Sequence, residues 1–132
     1  MTSKTHAIIW LDHAQARIIL FDSETSLTRV IRPQGGTPHL HHKANSIGAG
    51  HVPEDQRYLH EVGQALKGAA AVLIAGPASA KVELIKHISR HDALLLERVS
   101  GIETADHPTD GQLLDHGRRY FSSTDGTAVR RV

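Results

Sequence analysis

The chain has no cysteine, no long apolar segment and almost no net charge. Without cysteine it forms no disulfide, no thiolate metal site and no cysteine nucleophile, as is typical of proteins in a reducing compartment. No apolar run approaches the roughly 20 residues that span a bilayer. The N-terminal MTSKTH lacks the apolar core of a signal peptide. We therefore expect a cytoplasmic protein without a membrane partner.

A formal net charge of +1 gives no general attraction to nucleic acid, so any binding to RNA would need a localised site. The 132 residues suit a single domain, which can bury roughly two-thirds of its unfolded surface. We expect that domain over residues 1–121 and a polar, flexible tail over residues 122–132. The eleven histidines are unusual, because histidine changes charge near neutral pH.

Alternating apolar and turn segments predict the order β-β-β-α-β-α-β-α. Short turns between the first three strands indicate an antiparallel meander. The predicted strands are Thr5–Leu11, Ala16–Phe21, Leu27–Ile31, Ala70–Ala75 and Ser100–Ala105. The right-handed crossover rule then places the fourth strand parallel to the first. The result is an α/β fold of ribonuclease-H-like layout, with a mixed five-stranded sheet and helices on its faces.

Local signals mark where the helices begin. Pro53 suits a first helical turn, and Asp92 is a candidate cap for a short helix after the one that ends near Arg90. Thr109 and Gln112 have the spacing of a capping box that opens the last helix. On the second predicted helix we expect a solvated face formed by Lys81, Glu83, Lys86, His87 and Arg90.

The segment Pro33–His51 has no helical or strand periodicity and is a long loop, which in a compact domain is usually functional or disordered. We expect it to be mobile in the free protein. Glycines allow close approach to a phosphate chain, and the cationic and imidazole side chains would contact phosphate. The candidate RNA-binding residues are Arg32, Gly35, Gly36, His39, His41, His42, Lys43, Gly48, Gly50 and His51. The residues alone favour neither this interpretation nor that of a merely solvated loop.

A metal-binding or metal-dependent hydrolytic protein is the alternative from another class. His39, His41, His42 and His51 could bind zinc, copper or nickel, with Asp12 as a further group. No neighbouring acidic residue or cysteine completes a four-ligand set, so we favour an exposed basic loop with no bound metal and no cofactor.

Clustered carboxylates would suggest a two-metal nuclease. Asp12 follows the first strand, and Asp106 and Asp110 follow the last, but Ala75-Gly76-Pro77 at the end of the central strand offers no carboxylate. We expect Asp12 to be a turn residue, Asp106 a loop residue and Asp110 a helix-start charge. No catalytic constellation is complete, and we expect a non-enzymatic protein.

Two segments resemble a known family. Ala71–Leu84, AVLIAGPASAKVEL, is similar to the strand–turn–helix in the middle domain of archaeal and eukaryotic class 1 peptide release factors and of the rescue factor Pelota. The helix containing Arg57–Val62 resembles that domain's first helix. From His6 to Phe121 the chain also resembles a small bacterial "translational machinery protein" family, through WLDH, HHK, GHVPEDQRYL, AGPASAK and TADHPTDGQL.

The resemblance implies a ribonuclease-H-like fold without nuclease activity. In the release factors, the loop between the third strand and the first helix carries Gly-Gly-Gln and promotes peptidyl-tRNA hydrolysis. The equivalent loop here offers Gly35-Gly36-Thr37 and Gly48-Ala49-Gly50, and neither is Gly-Gly-Gln. The resemblance therefore implies a loop position suited to the ribosome or ribosomal RNA, but no hydrolytic reaction.

Overall fold

The computed structural model describes residues 6–33 and 51–131, with side chains described over 6–33 and 56–122. Five strands and four helices follow one another along these ranges. The strands are β1 His6–Leu11, β2 Ala16–Phe21, β3 Ser26–Ile31, β4 Ala71–Gly76 and β5 Val99–Thr104. The helices are α1 His51–Leu66, α2 Ala80–His91, α3 Ala93–Arg98 and α4 Asp110–Arg131.

The strands form one mixed sheet in the order β3-β2-β1-β4-β5. β2 pairs antiparallel with both β1 and β3, whereas β4 pairs in parallel with β1 and β5. Short turns join the meander strands, and helices join the parallel strands, because a parallel pair needs a crossover connection. The predicted fold class, the β2–β3 pairing and the parallel β1–β4 pairing are all confirmed.

Each face of the sheet has its own core because side chains alternate along a strand. The α1 face packs on α1, α2 and α3, and its core includes Ala7, Ile9, Leu11, Ala16, Ile18, Leu59, Val62, Leu66, Val72, Ile74, Leu84 and Ile88. The α4 face packs on α4, and its core consists of Ile8, Trp10, Ile19, Phe21, Leu73, Ala75, Leu113 and Phe121. Burial on both faces explains the nearly continuous apolar sequences of β1 and β4.

Two helix ends differ from their predicted positions. α1 begins at His51 rather than Pro53, so His51 is its first residue and not the end of the loop. A proline is tolerated there, because the first four N–H groups of a helix have no intrahelical partner. The backbone of α4 continues to Arg131, past the predicted boundary at Phe121. The flexibility of that tail stays a prediction.

The predicted caps are confirmed. The Asp92 carboxylate accepts a hydrogen bond from the Leu95 N–H at 3.1 Å and so starts α3. At the start of α4, the Gln112 N–H donates to the Thr109 hydroxyl at 3.1 Å, and the Gln112 amide accepts from the Thr109 N–H at 2.8 Å. These bonds satisfy backbone donors that the helices themselves leave free.

The predicted solvated face of α2 is wrong at two positions. Lys81 and His87 are buried, whereas Glu83, Lys86 and Arg90 are exposed. α2 packs against α1 as well as against the sheet, so its buried face extends beyond the apolar stripe of Leu84 and Ile88. The Lys81 ammonium group is satisfied by the Ala78 carbonyl at 2.6 Å.

No helix in the described part of the chain is long and apolar enough to cross a bilayer.

Candidate functional site

The candidate site lies at the edge of the sheet where β1, β3, β4 and β5 all end, which we call the carboxyl edge. Leu11 at the end of β1 pairs with Ala16, and Ala16 pairs with Ile31 at the end of β3. Arg32 and Pro33 therefore continue from the same edge at which β4 ends with Gly76. The Pro33–His51 segment leaves the sheet at this edge.

Asp12 forms the turn that closes the first hairpin. Its Oδ1 accepts hydrogen bonds from the N–H groups of Ala14 at 2.8 Å and Gln15 at 3.0 Å, an arrangement typical of aspartate in turns. The predicted role of Asp12 as a turn residue is confirmed.

Tyr58 ties α1 to this turn. Its hydroxyl donates to the Asp12 carbonyl oxygen at 2.9 Å, and its side chain is buried. Burial raises the pKa of Tyr58 above its ordinary range, and the nearby Asp12 charge adds to the effect. The hydroxyl therefore remains protonated and keeps its donor at physiological pH. This bond fixes the first half of α1 to the carboxyl edge.

Trp10 and Arg17 fix the connection between β5 and α4. The indole N–H of Trp10 donates to the Asp106 carbonyl at 2.8 Å and to the Ala105 carbonyl at 3.3 Å. The Arg17 guanidinium lies 4.8 Å from the centroid of the Trp10 ring, a cation–π distance. It also donates to the Pro108 carbonyl at 2.7 Å and to the Asp110 carboxylate at 2.8 Å. The connection between β5 and α4, together with the first residue of α4, is thus held to the sheet.

Gly76 allows β4 to lie close to β1 at this edge. A Cβ at this position would collide with the backbone carbonyl oxygen of Leu11. Because the obstacle is backbone, it has no side-chain rotation by which to move away. The close approach makes the carboxyl edge compact between its two central strands.

Two exposed imidazoles lie on this edge beside carboxylates. The Nε2 of His13 is 3.5 Å from Glu83 Oε1, and the Nε2 of His107 is 4.0 Å from Asp12 Oδ2. The His107 ring also packs against Trp10, with ring centroids 4.8 Å apart. The edge therefore presents imidazole and carboxylate groups side by side.

The carboxylates at this edge do not converge on a metal site. Asp12 caps its turn, and the Asp110 carboxylate pairs with Arg17, as a helix-start charge can. Within residues 6–33 and 56–122, whose side chains the structure describes, no three histidine, aspartate or glutamate side chains are arranged to hold a metal ion. The histidine-rich part of the loop lies outside these ranges, so this finding does not bear on its histidines.

Of the predicted RNA-binding residues, Arg32 is the one whose side chain is described. It is exposed, and its guanidinium donates to the Gln15 side-chain oxygen at 3.3 Å. His51 is the first residue of α1. The remaining predicted residues lie outside the described part of the chain: Gly35, Gly36, His39, His41, His42, Lys43, Gly48 and Gly50.

Sequence patterns alone missed the groups that build the base of the site. Arg17 reaches Asp110 across 93 positions of sequence, and Tyr58 reaches Asp12 across 46. No local pattern identifies such partners. Trp10 carries some signal, because it is the one tryptophan of the chain and lies in the WLDH segment.

The sequence matches no family model, and no curated protein matches it. Solved structures do resemble the chain. The crystal structure of the archaeal translation termination factor aRF1 matches 96% of this chain with a TM-score of 0.59 and 14% identity. Archaeoglobus fulgidus Pelota matches 95% with a TM-score of 0.64 and 10% identity. The Saccharomyces cerevisiae protein Dom34 matches 86% with a TM-score of 0.56 and 9% identity.

The chain has the fold of the middle domain of these translation factors. The predicted resemblance to release factors and Pelota is thereby confirmed at the level of structure. The chain spans 39% of aRF1, 34% of the Pelota chain and 32% of Dom34, so it corresponds to about a third of each. At these identities the likeness establishes the fold, and the activities of the larger proteins remain a matter for proposal.

Proposed function

We propose that this protein is a non-enzymatic, ribosome-associated or RNA-binding factor of the translation machinery. The single observation that supports it most is the position of the Pro33–His51 segment, which connects β3 to α1 at the carboxyl edge of a release-factor-like fold. The similar structures are described as a translation termination factor and a termination-like factor involved in RNA quality control.

Both ends of this segment are held by the sheet. At one end Ile31 is buried and Arg32 is hydrogen-bonded to Gln15. At the other, α1 is tied to the Asp12 turn through Tyr58. A loop carried on a rigid scaffold is a common arrangement for binding residues. We therefore assign RNA contact to the segment and a supporting role to the edge beneath it.

The chemistry of the segment suits phosphate. Arg32 and Lys43 are cationic, and the histidines become more cationic as the pH falls toward their unperturbed pKa of about 6.5. Contacts with phosphate release counterions, so binding should weaken as salt rises. Binding should also be tighter near pH 6 than near pH 8. Metal-ligating imidazoles would give the opposite pH dependence, because protons compete with the metal.

The test is co-sedimentation of the untagged protein with ribosomes at pH 6 and pH 8, each at low and high salt. A variant with alanine at His39, His41, His42 and Lys43 should lose most of its binding. The matched control carries alanine at three exposed cationic or imidazole residues on α2 and α4, namely Lys86, His116 and Arg119. Equal binding by the wild type and both variants would exclude the segment as the contact region.

The same preparation tests the metal alternative. Elemental analysis of the untagged wild type should find no stoichiometric transition metal. A bound metal that disappears in the four-alanine variant would favour a metal-binding or metal-dependent hydrolytic protein over the RNA-binding factor.

A second assay tests the absence of a reaction. Because no glutamine follows Gly35-Gly36 or Gly48-Ala49-Gly50, we expect no release of peptide from loaded ribosomes above background. Release that is abolished by alanine at these glycines would show that the loop is catalytic.

A further inference from the structure

Three imidazoles meet where α1 packs against α2. We call His60 of α1 with His87 and His91 of α2 the histidine cluster. The centroid of the His87 ring lies 4.3 Å from that of His91 and 5.8 Å from that of His60. The cluster lines a small cavity of about 40 Å³, whose wall also includes Gly63, Lys67 and Asp92. The cavity has room for one or two water molecules and for no larger ligand.

His87 is the buried member of the cluster and is only 5% exposed. Its Nδ1 lies 2.8 Å from the side-chain oxygen of Gln56 on α1. Since an amide oxygen can only accept, Nδ1 carries the proton in this contact. The other nitrogen, Nε2, is buried and has no hydrogen-bond partner. The contact therefore favours the neutral tautomer of His87 with the proton on Nδ1, and no described protein group is hydrogen-bonded to Nε2.

The surroundings of His87 oppose a positive charge. His60 and Lys67 face the cavity from α1 and the residue after it, and Arg90 and His91 belong to α2. Burial lowers the pKa of His87, and His91, His60 and Arg90 lower it further through charge repulsion. These three neighbours thus act in the same direction as burial.

One carboxylate, Asp92, lines the described cavity, but it is engaged elsewhere. One of its oxygens accepts from the Leu95 N–H at 3.1 Å, and the other lies 3.7 Å from the Lys67 ammonium group. To compensate an imidazolium at His87, Asp92 would have to release the cap of α3 or its ion pair. A proton on Nε2 would therefore place a positive charge in a buried position with no described protein group free to accept from it, which is costly.

We propose that the histidine cluster is a pH-sensitive contact, in which protonation of His87 at Nε2 loosens α1 from α2. The hydrogen bond from His87 to Gln56 holds the first half of α1, the helix that begins where the Pro33–His51 segment ends. The inference concerns helix packing and does not depend on RNA binding.

The direction of the pH effect follows from linkage. In the separated state His87 is solvated and takes up a proton near pH 6.5, whereas in the packed state its pKa lies lower. Below about pH 6.5 the separated state therefore binds more protons than the packed state, and packing weakens as the pH falls. Above pH 6.5 the contact is at full strength.

The test combines two measurements on the full chain at pH 7.5 and pH 5.5. An NMR titration of the imidazoles should show His87 titrating below about pH 6.5, the value of an unperturbed imidazole. Amide hydrogen exchange, corrected for the intrinsic rate at each pH, should show protection in α1 and α2 falling several-fold at pH 5.5 relative to α4. Titration of His87 at or above pH 6.5 would overturn the proposal.

Two variants distinguish the effect of His87 on α1 from a general loss of stability at low pH. His87→Gln removes the titrating group and keeps a side chain able to reach Gln56, so the pH response of α1 should disappear. His116→Gln is the matched control, because His116 is exposed on α4 beside Glu103 and should leave that response unchanged. A response retained in the His87→Gln variant would contradict the proposal.

Replacement of the exposed members covers the case in which His87→Gln does not fold. His60→Gln and His91→Gln each remove a positive neighbour, so each should raise the pKa of His87 and reduce the pH response of α1. An unchanged His87 titration in both variants would overturn the proposal. So would a result in which the amides of α1 are protected from exchange only when zinc is added.

Discussion

The two faces of the sheet achieve burial with different means. Three helices cover the α1 face, and its core is mostly aliphatic, with the buried His87 in the contact between two of those helices. Among residues 6–33 and 51–131, one helix covers the α4 face, and there large rings fill the space. Trp10, Phe21 and Phe121 are buried on it, and the His6 ring lies 4.4 Å from Phe121. A face with several helices gains polar contacts between them, whereas a face with one helix depends on a few large side chains.

Close approach of α4 to the sheet is part of this difference. A Cβ at Gly117 would lie 3.0 Å from the Phe21 ring and 3.2 Å from Ile8 Cγ2. At Gly63 of α1 the corresponding Cβ would have only Leu95 Cδ2 near it, at 4.0 Å. At Gly117, α4 is therefore packed tightly against the Phe21 ring, whereas at Gly63 there is room beside α1 for an added methyl group.

Removal of a ring from the α4 face should have the largest effect. Trp10→Ala deletes a fully buried side chain and its hydrogen bonds to the carbonyls of Ala105 and Asp106. We expect a loss of about 3–5 kcal/mol in the free energy of unfolding, measured by urea denaturation. Leu94→Ala on α3 is the control, because Leu94 is 67% exposed and should change little. Comparable losses in the two variants would show that the α4 face does not depend on its rings.

The two helical glycines should respond to the same substitution with opposite signs. Gly117→Ala should destabilise the protein by about 1–2 kcal/mol, because the packed Phe21 and Ile8 cannot easily move and the overpacking outweighs the gain in helix propensity. Gly63→Ala should stabilise it by about 0.5–1 kcal/mol, since only the propensity gain remains. Thermal denaturation of both variants gives the comparison, and equal signs would contradict it.

Loss of one hydrogen bond at the carboxyl edge should cause the smallest destabilisation. Tyr58→Phe removes the donor to the Asp12 carbonyl and should cost about 1 kcal/mol at pH 7. Because burial holds the pKa of Tyr58 above its unfolded value of about 10, the packed protein keeps this proton longer than the unfolded chain does. Stability should therefore fall as the pH rises above about 10, and Tyr58→Phe should flatten that fall. An identical alkaline profile in the variant would exclude Tyr58 as its cause.

The sheet could be predicted because its information is local. Apolar runs in the sequence predicted β1 and β4, and short turns predicted the antiparallel meander. The crossover rule then predicted that β4 pairs in parallel with β1. The caps at Asp92 and Thr109 were predictable for the same reason, since each acts within three residues of itself. Helix ends were less certain, as the start of α1 at His51 shows.

The supporting groups of the candidate site could not be predicted, because their partners are distant in sequence. Arg17 lies in a strand whose neighbours are apolar, and only the folded sheet brings it to Asp110 and Trp10. The prediction for His87 was wrong for a different reason. The sequence pattern of α2 puts His87 on the polar side of the helix, but in the folded protein α1 covers that side.

The one tryptophan of the chain lies at the base of the candidate site, where it can serve as an intrinsic fluorescent probe. Trp10 is buried against the β5–α4 connection and lies on the α4 face, away from the histidine cluster. Its emission should respond to events at the carboxyl edge and change little when α1 loosens from α2. Fluorescence and hydrogen exchange on one sample therefore monitor the two faces separately, without an attached dye.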